Sequence, residues 1–495
     1  MSAAGGGAAL DVTTLTAYRC RELLARGDVS ATELTRAYLD RIAAVDEQVQ
    51  AFLRVDESGA MAAAAAVDAK PRSGRQPWEG VPIGLKDIFC VKGVETTCAS
   101  RILKDYIPPY DATIIAKLRT AGLIFLGKLN MDEFAMGSST ENSAFHTTRN
   151  PWDFDRVPGG SSGGSAACVA ASEAPWALGT DTGGSIRQPA SLCGVVGLRP
   201  TYGAVSRYGV IAFASSLDQV GTLTRDVRDA AALLDLIAGR DAMDCTSTGL
   251  SEPAGTPGRA DLRGLRFGVI EEYMGEACRS GVREVFDAAV DSISALGGVC
   301  EVVSLPSVER GVAAYYLIAA SEAGSNLARF DGVRYGHRTE HSEDLYEMYV
   351  RTRSEGFGPE VKRRIMIGAY ALSAGYYDAY YAQAQRARTL IIQDFARAFE
   401  RFDFLISPTS PTVAFEIGER AADPLAMYLS DLCTVPVSLA ALPGISIPAG
   451  FSAGLPVGFQ IIGPHFSERG LLNVAYALEQ SLDVNTVAPL AETAG

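Results

Sequence analysis

Gly159-Gly160-Ser161-Ser162-Gly163-Gly164-Ser165 opens the stretch on which the reading of this chain turns. A helical run follows at 164–173, then a short apolar strand at 175–179, and the strand ends in Asp181-Thr182-Gly183-Gly184-Ser185. Glycines at this density let the backbone turn sharply and bring N–H groups close to a ligand. A helix and a buried strand flanked by two such turns predict a layered α/β fold.

The same alternation extends in both directions. Upstream, Val81-Pro82-Ile83-Gly84-Leu85 reads as a buried strand that delivers Lys86-Asp87 at its end, and a helix over 112–121 leads to a strand over 123–126. Downstream, helices are expected at 226–238, 281–296 and 467–481, with strands at 264–270, 298–304, 404–406, 445–447 and 457–462. Near the start, Ser30-Ala31-Thr32-Glu33 has capping-box spacing, and Leu34, Tyr38, Ile42 and Val45 follow at helical intervals. Residues 56–77 predict a helix followed by a loop. Residues 306–400, rich in Tyr, Ala, Glu and Arg, predict a mostly helical insertion or cap. The Gly/Ala-rich start and the stretch 246–258 are the low-complexity segments, the latter a surface loop.

Composition narrows the possible functions. With 495 residues, 47% hydrophobic and 21% charged, the chain has an ordinary globular balance. A formal net charge of −14 gives it no attraction of its own for nucleic acid, so any RNA would be held by a partner chain. Nine cysteines at irregular spacing, without a C-x-x-C pair, fit a reduced cytoplasmic protein. The start lacks the basic and apolar regions of a signal peptide, and no run of 18 apolar residues suggests a membrane span.

The two glycine-serine turns carry the candidate chemistry. A phosphate cradle is one reading of 159–165, but Gly-Lys-Ser/Thr is absent, so a Walker-type loop is unsupported. The block also matches G-x-S-x-G, which would require a histidine base. Of His146, His337, His341 and His465, only His465 is a plausible base. Lysine is the alternative, provided burial keeps it neutral. The chain has seven lysines among 44 basic residues, so a lysine within an apolar run stands out, and Lys86 sits between Leu85 and Asp87-Ile88-Phe89. A strand-end lysine paired with a carboxylate remains an equal reading of it. At 179–185, successive backbone N–H groups can converge on one developing oxyanion.

Lys86, the block 159–165 and Asp181-Thr182-Gly183-Gly184-Ser185-Ile186-Arg187-Gln188-Pro189-Ala190 together resemble the amidase signature family. Longer stretches, Asn130 to Ser139, Pro200 through Gln219 and Met427 to Asp431, are similar to one branch of it: the A-type glutaminase subunits of tRNA-dependent amidotransferases. The resemblance covers residues 12–485 and implies one amidase signature domain over 1–495, a large mixed sheet with helices on both faces. It implies Ser185 as nucleophile, Ser161 as a bridging serine at a cis peptide bond, and Lys86 as base. It further implies an oxyanion hole from the N–H groups of Thr182, Gly183, Gly184 and Ser185. Arg364 would hold the α-carboxylate of glutamine and Asp431 its α-ammonium, with Tyr315 nearby. The plainer reading of Arg364 and Asp431 is a helix-surface arginine and an N-cap.

No metal or cofactor is implied in this chain. The resemblance implies two partner subunits in a heterotrimer. ATP and Mg²⁺ would act at the B-type partner, which receives the ammonia and amidates Glu-tRNA(Gln) or Asp-tRNA(Asn), while the C-type partner joins the two. Two departures stand out, Ala204 where a basic residue is expected and Arg199 in place of Lys, and both are expected to affect surface contacts only. A free-standing amidase for a small amide or ester and a non-catalytic scaffold are the competing functions.

Overall fold

The computed structural model describes residues 10–490, so the Gly/Ala-rich start lies outside the described residues. Its strands are β1 (Phe52–Val55), β2 (Pro82–Lys86), β3 (Ile124–Leu129), β4 (Trp176–Asp181), β5 (Val196–Arg199) and β6 (Gln219–Thr224), followed by β7 (Arg266–Ile270), β8 (Val299–Val303), β9 (Phe404–Pro408), β10 (Gly444–Ser452) and β11 (Leu455–Ile462). They pair into one sheet of eleven strands in the order β1-β3-β2-β4-β6-β5-β10-β11-β9-β7-β8. Parallel pairing joins β2 to β3 and β4, and β7 to β8 and β9, while the remaining pairs are antiparallel. The sheet is therefore mixed, as expected.

Every residue of β2, β4, β5, β6, β9 and β11 is buried. Successive side chains of a strand point to opposite faces, so strands of this kind must be covered on both. That burial explains why β2 and β4 carry apolar and small residues without alternation. The capping box at Ser30 forms: Ser30 Oγ accepts from Glu33 N at 3.1 Å, and Glu33 Oε2 accepts from Ser30 N at 2.8 Å. The expected helices fall at Thr113–Thr120, Gly163–Ala170, Val227–Ile237, Ser280–Ala295 and Glu468–Leu482.

Absent from the sequence-based reading are β1, β5, β6 and the short helices Arg187–Cys193, Pro424–Tyr428 and Val435–Leu439. The first three are four to six residues long and include Gly197, Gly221, Gln219 and Thr222, so hydrophobic pattern alone does not mark them. Between 306 and 400 the helices are Gly311–Asn326, Leu345–Gly356, Pro359–Leu372 and Tyr381–Phe399. Among the described residues no helix is long and apolar enough to cross a membrane.

The parallel neighbours β2 and β4 position the site. Their register sets Gly84 opposite Ala177 and Leu85 opposite Leu178, so both strands release the chain at the same edge of the sheet. Open α/β sheets gather ligands at the carboxyl ends of their strands. Lys86 is the last residue of β2, and Asp181 the last of β4.

Candidate active site

Lys86 is fully buried. Its Nζ lies 2.8 Å from Ser161 Oγ, 2.8 Å from Ser162 Oγ and 2.9 Å from Thr180 Oγ1, and among the described residues no carboxylate pairs with it. Burial brings its pKa from 10.5 down to about 7, against the upward pull of Asp132, Asp181 and Asp218. Removing an ammonium from water disfavours the charged form, so a neutral amine is accessible here. The paired-lysine reading instead describes Lys128, whose Nζ meets Asp87 Oδ1 at 3.0 Å in the next strand.

The serines facing Lys86 come from a loop held on several sides. The Gly160–Ser161 peptide bond is cis. Gly160 N donates to Gln188 Oε1 at 3.0 Å, Asp132 N donates to Ser161 O at 3.2 Å, and Ser162 Oγ donates to Thr180 O at 3.0 Å. A Cβ on Gly160 would lie 2.1 Å from Asp132 Oδ2, so only glycine fits at that position.

Ser185 follows β4 across the glycine turn and retains 7% exposure. Its carbonyl accepts from Ser162 N at 3.1 Å, which locks the two turns together. Among the described residues, the N–H groups of Thr182, Gly183, Gly184 and Ser185 donate to no protein acceptor. Four consecutive donors left free beside a serine hydroxyl form an arrangement that can stabilise an oxyanion. The carbonyls are engaged instead: Gly183 O accepts from Thr434 Oγ1 at 2.8 Å, and Gly184 O from Gln188 N at 2.8 Å.

Asp181 braces this turn from beneath. Arg187 grips it through Nε at 2.9 Å and Nη2 at 2.9 Å, and Arg199 Nη1 reaches Oδ1 at 3.2 Å. Burial would raise the carboxyl's pKa, but the two guanidinium groups hold it well below the usual carboxylate range. Arg199 is therefore not a surface residue. It is fully buried in β5 and belongs to the support of the site, contrary to the sequence-based expectation. Ala204 is fully buried as well, so neither departure lies at the surface.

Arg364 and Asp431 are likewise interior. Arg364 is 3% exposed, so it is not a helix-surface arginine. Asp431 closes the short turn Leu429–Asp431 and caps no helix. Its Oδ2 accepts from Ser138 Oγ at 2.5 Å, whereas its buried Oδ1 has no partner among the described residues. Burial pushes the Asp431 carboxyl up to about 7, against the Ser138 hydrogen bond and Arg364. The Tyr315 ring stands against the glycine turn: a Cβ on Gly183 would come within 2.7 Å of Tyr315 Cζ.

The histidine alternative fails on geometry. His465 Nε2 lies 3.0 Å from Ala440 O, and His337 pairs with Glu355 at the surface. Sequence reasoning took Ser162 only as the centre of a second G-x-S-x-G match, and it missed Thr180, Asp132 and the Asp181–Arg187–Arg199 cluster. Ser162, Asp181 and Arg187 lie within the quoted motifs, but the adjacency of Arg199 and Asp132 exists only after folding.

A lysine without an anion behind two serines, beside a turn of free N–H groups, is the equipment of a serine-dependent acyl-transfer enzyme. The family model described as "Amidase" matches residues 33–472, and the chain belongs to that family. It is 57% identical over 483 residues to the A-type subunit of the glutamyl-tRNA(Gln) amidotransferase of Moorella thermoacetica, covering 97% of this chain and 99% of that one. The crystal structure of the same A-type subunit from Thermotoga maritima superimposes with a TM-score of 0.83 at 44% identity, covering 98% of this chain and 99% of that one. The native peptide amidase of Stenotrophomonas maltophilia superimposes with a TM-score of 0.78 at 31% identity, covering 97% of this chain and 99% of that one. The expected amidase signature fold is thus the fold found.

Proposed function

We propose that this chain is the glutaminase subunit of a glutamyl-tRNA(Gln) amidotransferase and that Ser185, Ser161 and Lys86 form its catalytic relay. The observation that carries the relay is Lys86 Nζ, buried without an anion and 2.8 Å from Ser161 Oγ. Neutral Lys86 receives the Ser185 hydroxyl proton by way of Ser161 as Ser185 Oγ bonds to the side-chain carbonyl carbon of glutamine. The N–H groups of Thr182, Gly183, Gly184 and Ser185 receive the oxyanion. The C–N bond then breaks, the proton returns through Ser161 to the nitrogen, and ammonia leaves. Water attacks the glutamyl ester by the same route and frees Ser185.

Arg364, Asp431 and Tyr315 bind the substrate in this reading. A guanidinium matches a carboxylate in two-pronged geometry, and the unpaired Asp431 Oδ1 suits an ammonium. B-type and C-type partners complete a heterotrimer; the B-type partner takes ATP, Mg²⁺ and the charged tRNA, and accepts the ammonia. The net charge of −14 supports leaving the tRNA to a partner. This reading puts the chain in the cytoplasm, where tRNA is charged.

The test is glutaminase and amidation activity of the chain with and without its two partners. Ser185→Ala should assemble normally and release no ammonia, while added ammonium should restore amidation of Glu-tRNA(Gln). Full glutaminase activity in that variant refutes the relay.

A further inference from the structure

Arg364 lies in the helix Pro359–Leu372, one turn after Glu360. Glu360 Oε1 accepts from Arg364 Nε at 2.8 Å and from Tyr428 Oη at 2.9 Å, and Oε2 accepts from Arg363 Nη1. A glutamate four residues before an arginine is the favourable order on a helix. Both side chains are almost closed to solvent, which strengthens the pair relative to a surface one.

The guanidinium is also confined in its other directions. Its Cζ stands 4.9 Å from the Tyr316 ring centre, 5.5 Å from that of Phe213 and 5.6 Å from that of Tyr428. Tyr316 and Tyr428 stack on each other at 3.7 Å with their planes 21° apart. Aromatic faces attract a guanidinium and limit its tilt. The Nε–H is taken by Glu360, and among the described residues neither Nη atom has a hydrogen-bond partner. One edge of the fork is therefore fixed and the other is left for a ligand.

We infer that Glu360 and Tyr428 are specificity-determining positioning residues: they lock the Nε edge of Arg364 so that its Nη edge selects amides bearing an α-carboxylate. This rests on the reading of the site as a glutamine site. Glu360 supplies the anchor, and the Tyr428 hydroxyl holds the Glu360 carboxylate in place against the fork. Both act on the substrate through Arg364. Without the anchor, Arg364 must be ordered at the moment of binding, and affinity for the carboxylate falls.

The experiment compares L-glutamine with 4-aminobutanamide, the same amide without the carboxylate, in the assembled complex. Glu360→Ala should raise KM for glutamine about tenfold, as for loss of one charge-assisted contact, with little change in kcat. KM for 4-aminobutanamide should shift by less than about twofold. Glu360→Gln keeps an acceptor for Nε and should recover part of the loss, and Tyr428→Phe keeps the ring stack and should show a smaller rise. Equal changes on both amides, or none in Tyr428→Phe and Glu360→Ala alike, overturn the inference while leaving the glutamine reading intact. A wild-type complex with no preference for glutamine overturns both.

Discussion

Lys86 Nζ stands 2.8 Å from Ser161 Oγ, and neither side chain is reached by solvent. The lysine of the adjacent strand, Lys128, is equally interior but meets Asp87 at 3.0 Å. Two buried lysines on adjacent strands thus have opposite environments. Burial without an anion fits Lys86 to lose its proton.

The relay predicts a graded response to substitution. Ser161→Ala interrupts the proton path and Lys86→Met removes the base, so each should lower kcat by about 10²–10⁴-fold. Ser162→Ala removes one contact that orients Lys86 and should lower kcat by only about tenfold. Steady-state ammonia release from the assembled complex measures all three. A Ser162 variant as inactive as the Ser161 variant would assign the relay to the wrong serine.

The proposed role of Lys86 as base carries a pH dependence. Its pKa is about 7 in the folded chain, so kcat/KM should decline as pH falls below about 7 and level off above it. The stability consequence has a definite sign. Between about 7 and 10.5 the unfolded chain holds a proton that the folded chain has shed, so this residue's contribution to stability rises with pH across that window. Lys86→Met should remove that slope, which denaturant titrations at about pH 7 and pH 9 would reveal by their difference.

Asp181 is the anion shared by two buried guanidinium groups. Asp181→Asn leaves both without a counter-charge, and breaking a buried pair in this way destabilises by about 3–5 kcal/mol. Equilibrium unfolding should show that loss together with reduced kcat, because the same carboxylate braces the turn of free N–H groups. An Asp181→Asn protein as stable as wild type would mean that the cluster contributes little.

Gly184 has φ +147, and an added Cβ would fall 2.1 Å from Thr434 Oγ1. Gly184→Ala therefore strains the backbone and displaces the turn, and kcat should fall by about 10²-fold or more, as for a damaged oxyanion site. The double variant Gly184→Ala/Thr434→Ala removes the nearest contact but keeps Thr434 Cβ, 2.8 Å from the added Cβ, and the backbone strain, so only partial recovery is expected. Complete recovery in that double variant would place the effect in packing alone.

Much of this protein is legible before folding. Buried strands declare themselves as short apolar runs between helical stretches, and the glycine-serine turns declare themselves because sharp turns and close backbone approach need residues without bulk. Lys86 is visible because burial in an apolar run is rare for lysine. The strands β5 and β6 are not visible: β5, Val196-Gly197-Leu198-Arg199, is too short to show a period, glutamine, glycine and threonine interrupt β6, and only their central place in the sheet makes them strands. Nor does the sequence decide which lysine stays unpaired, that Arg199 turns inward to Asp181, or that Glu360 and Tyr428 meet behind Arg364. Such contacts join distant parts of the chain, 68 positions apart at Glu360 and Tyr428. Local pattern specifies a residue's environment only up to its own element; the charge state and free edges of a buried group are set by whatever the tertiary fold packs against it.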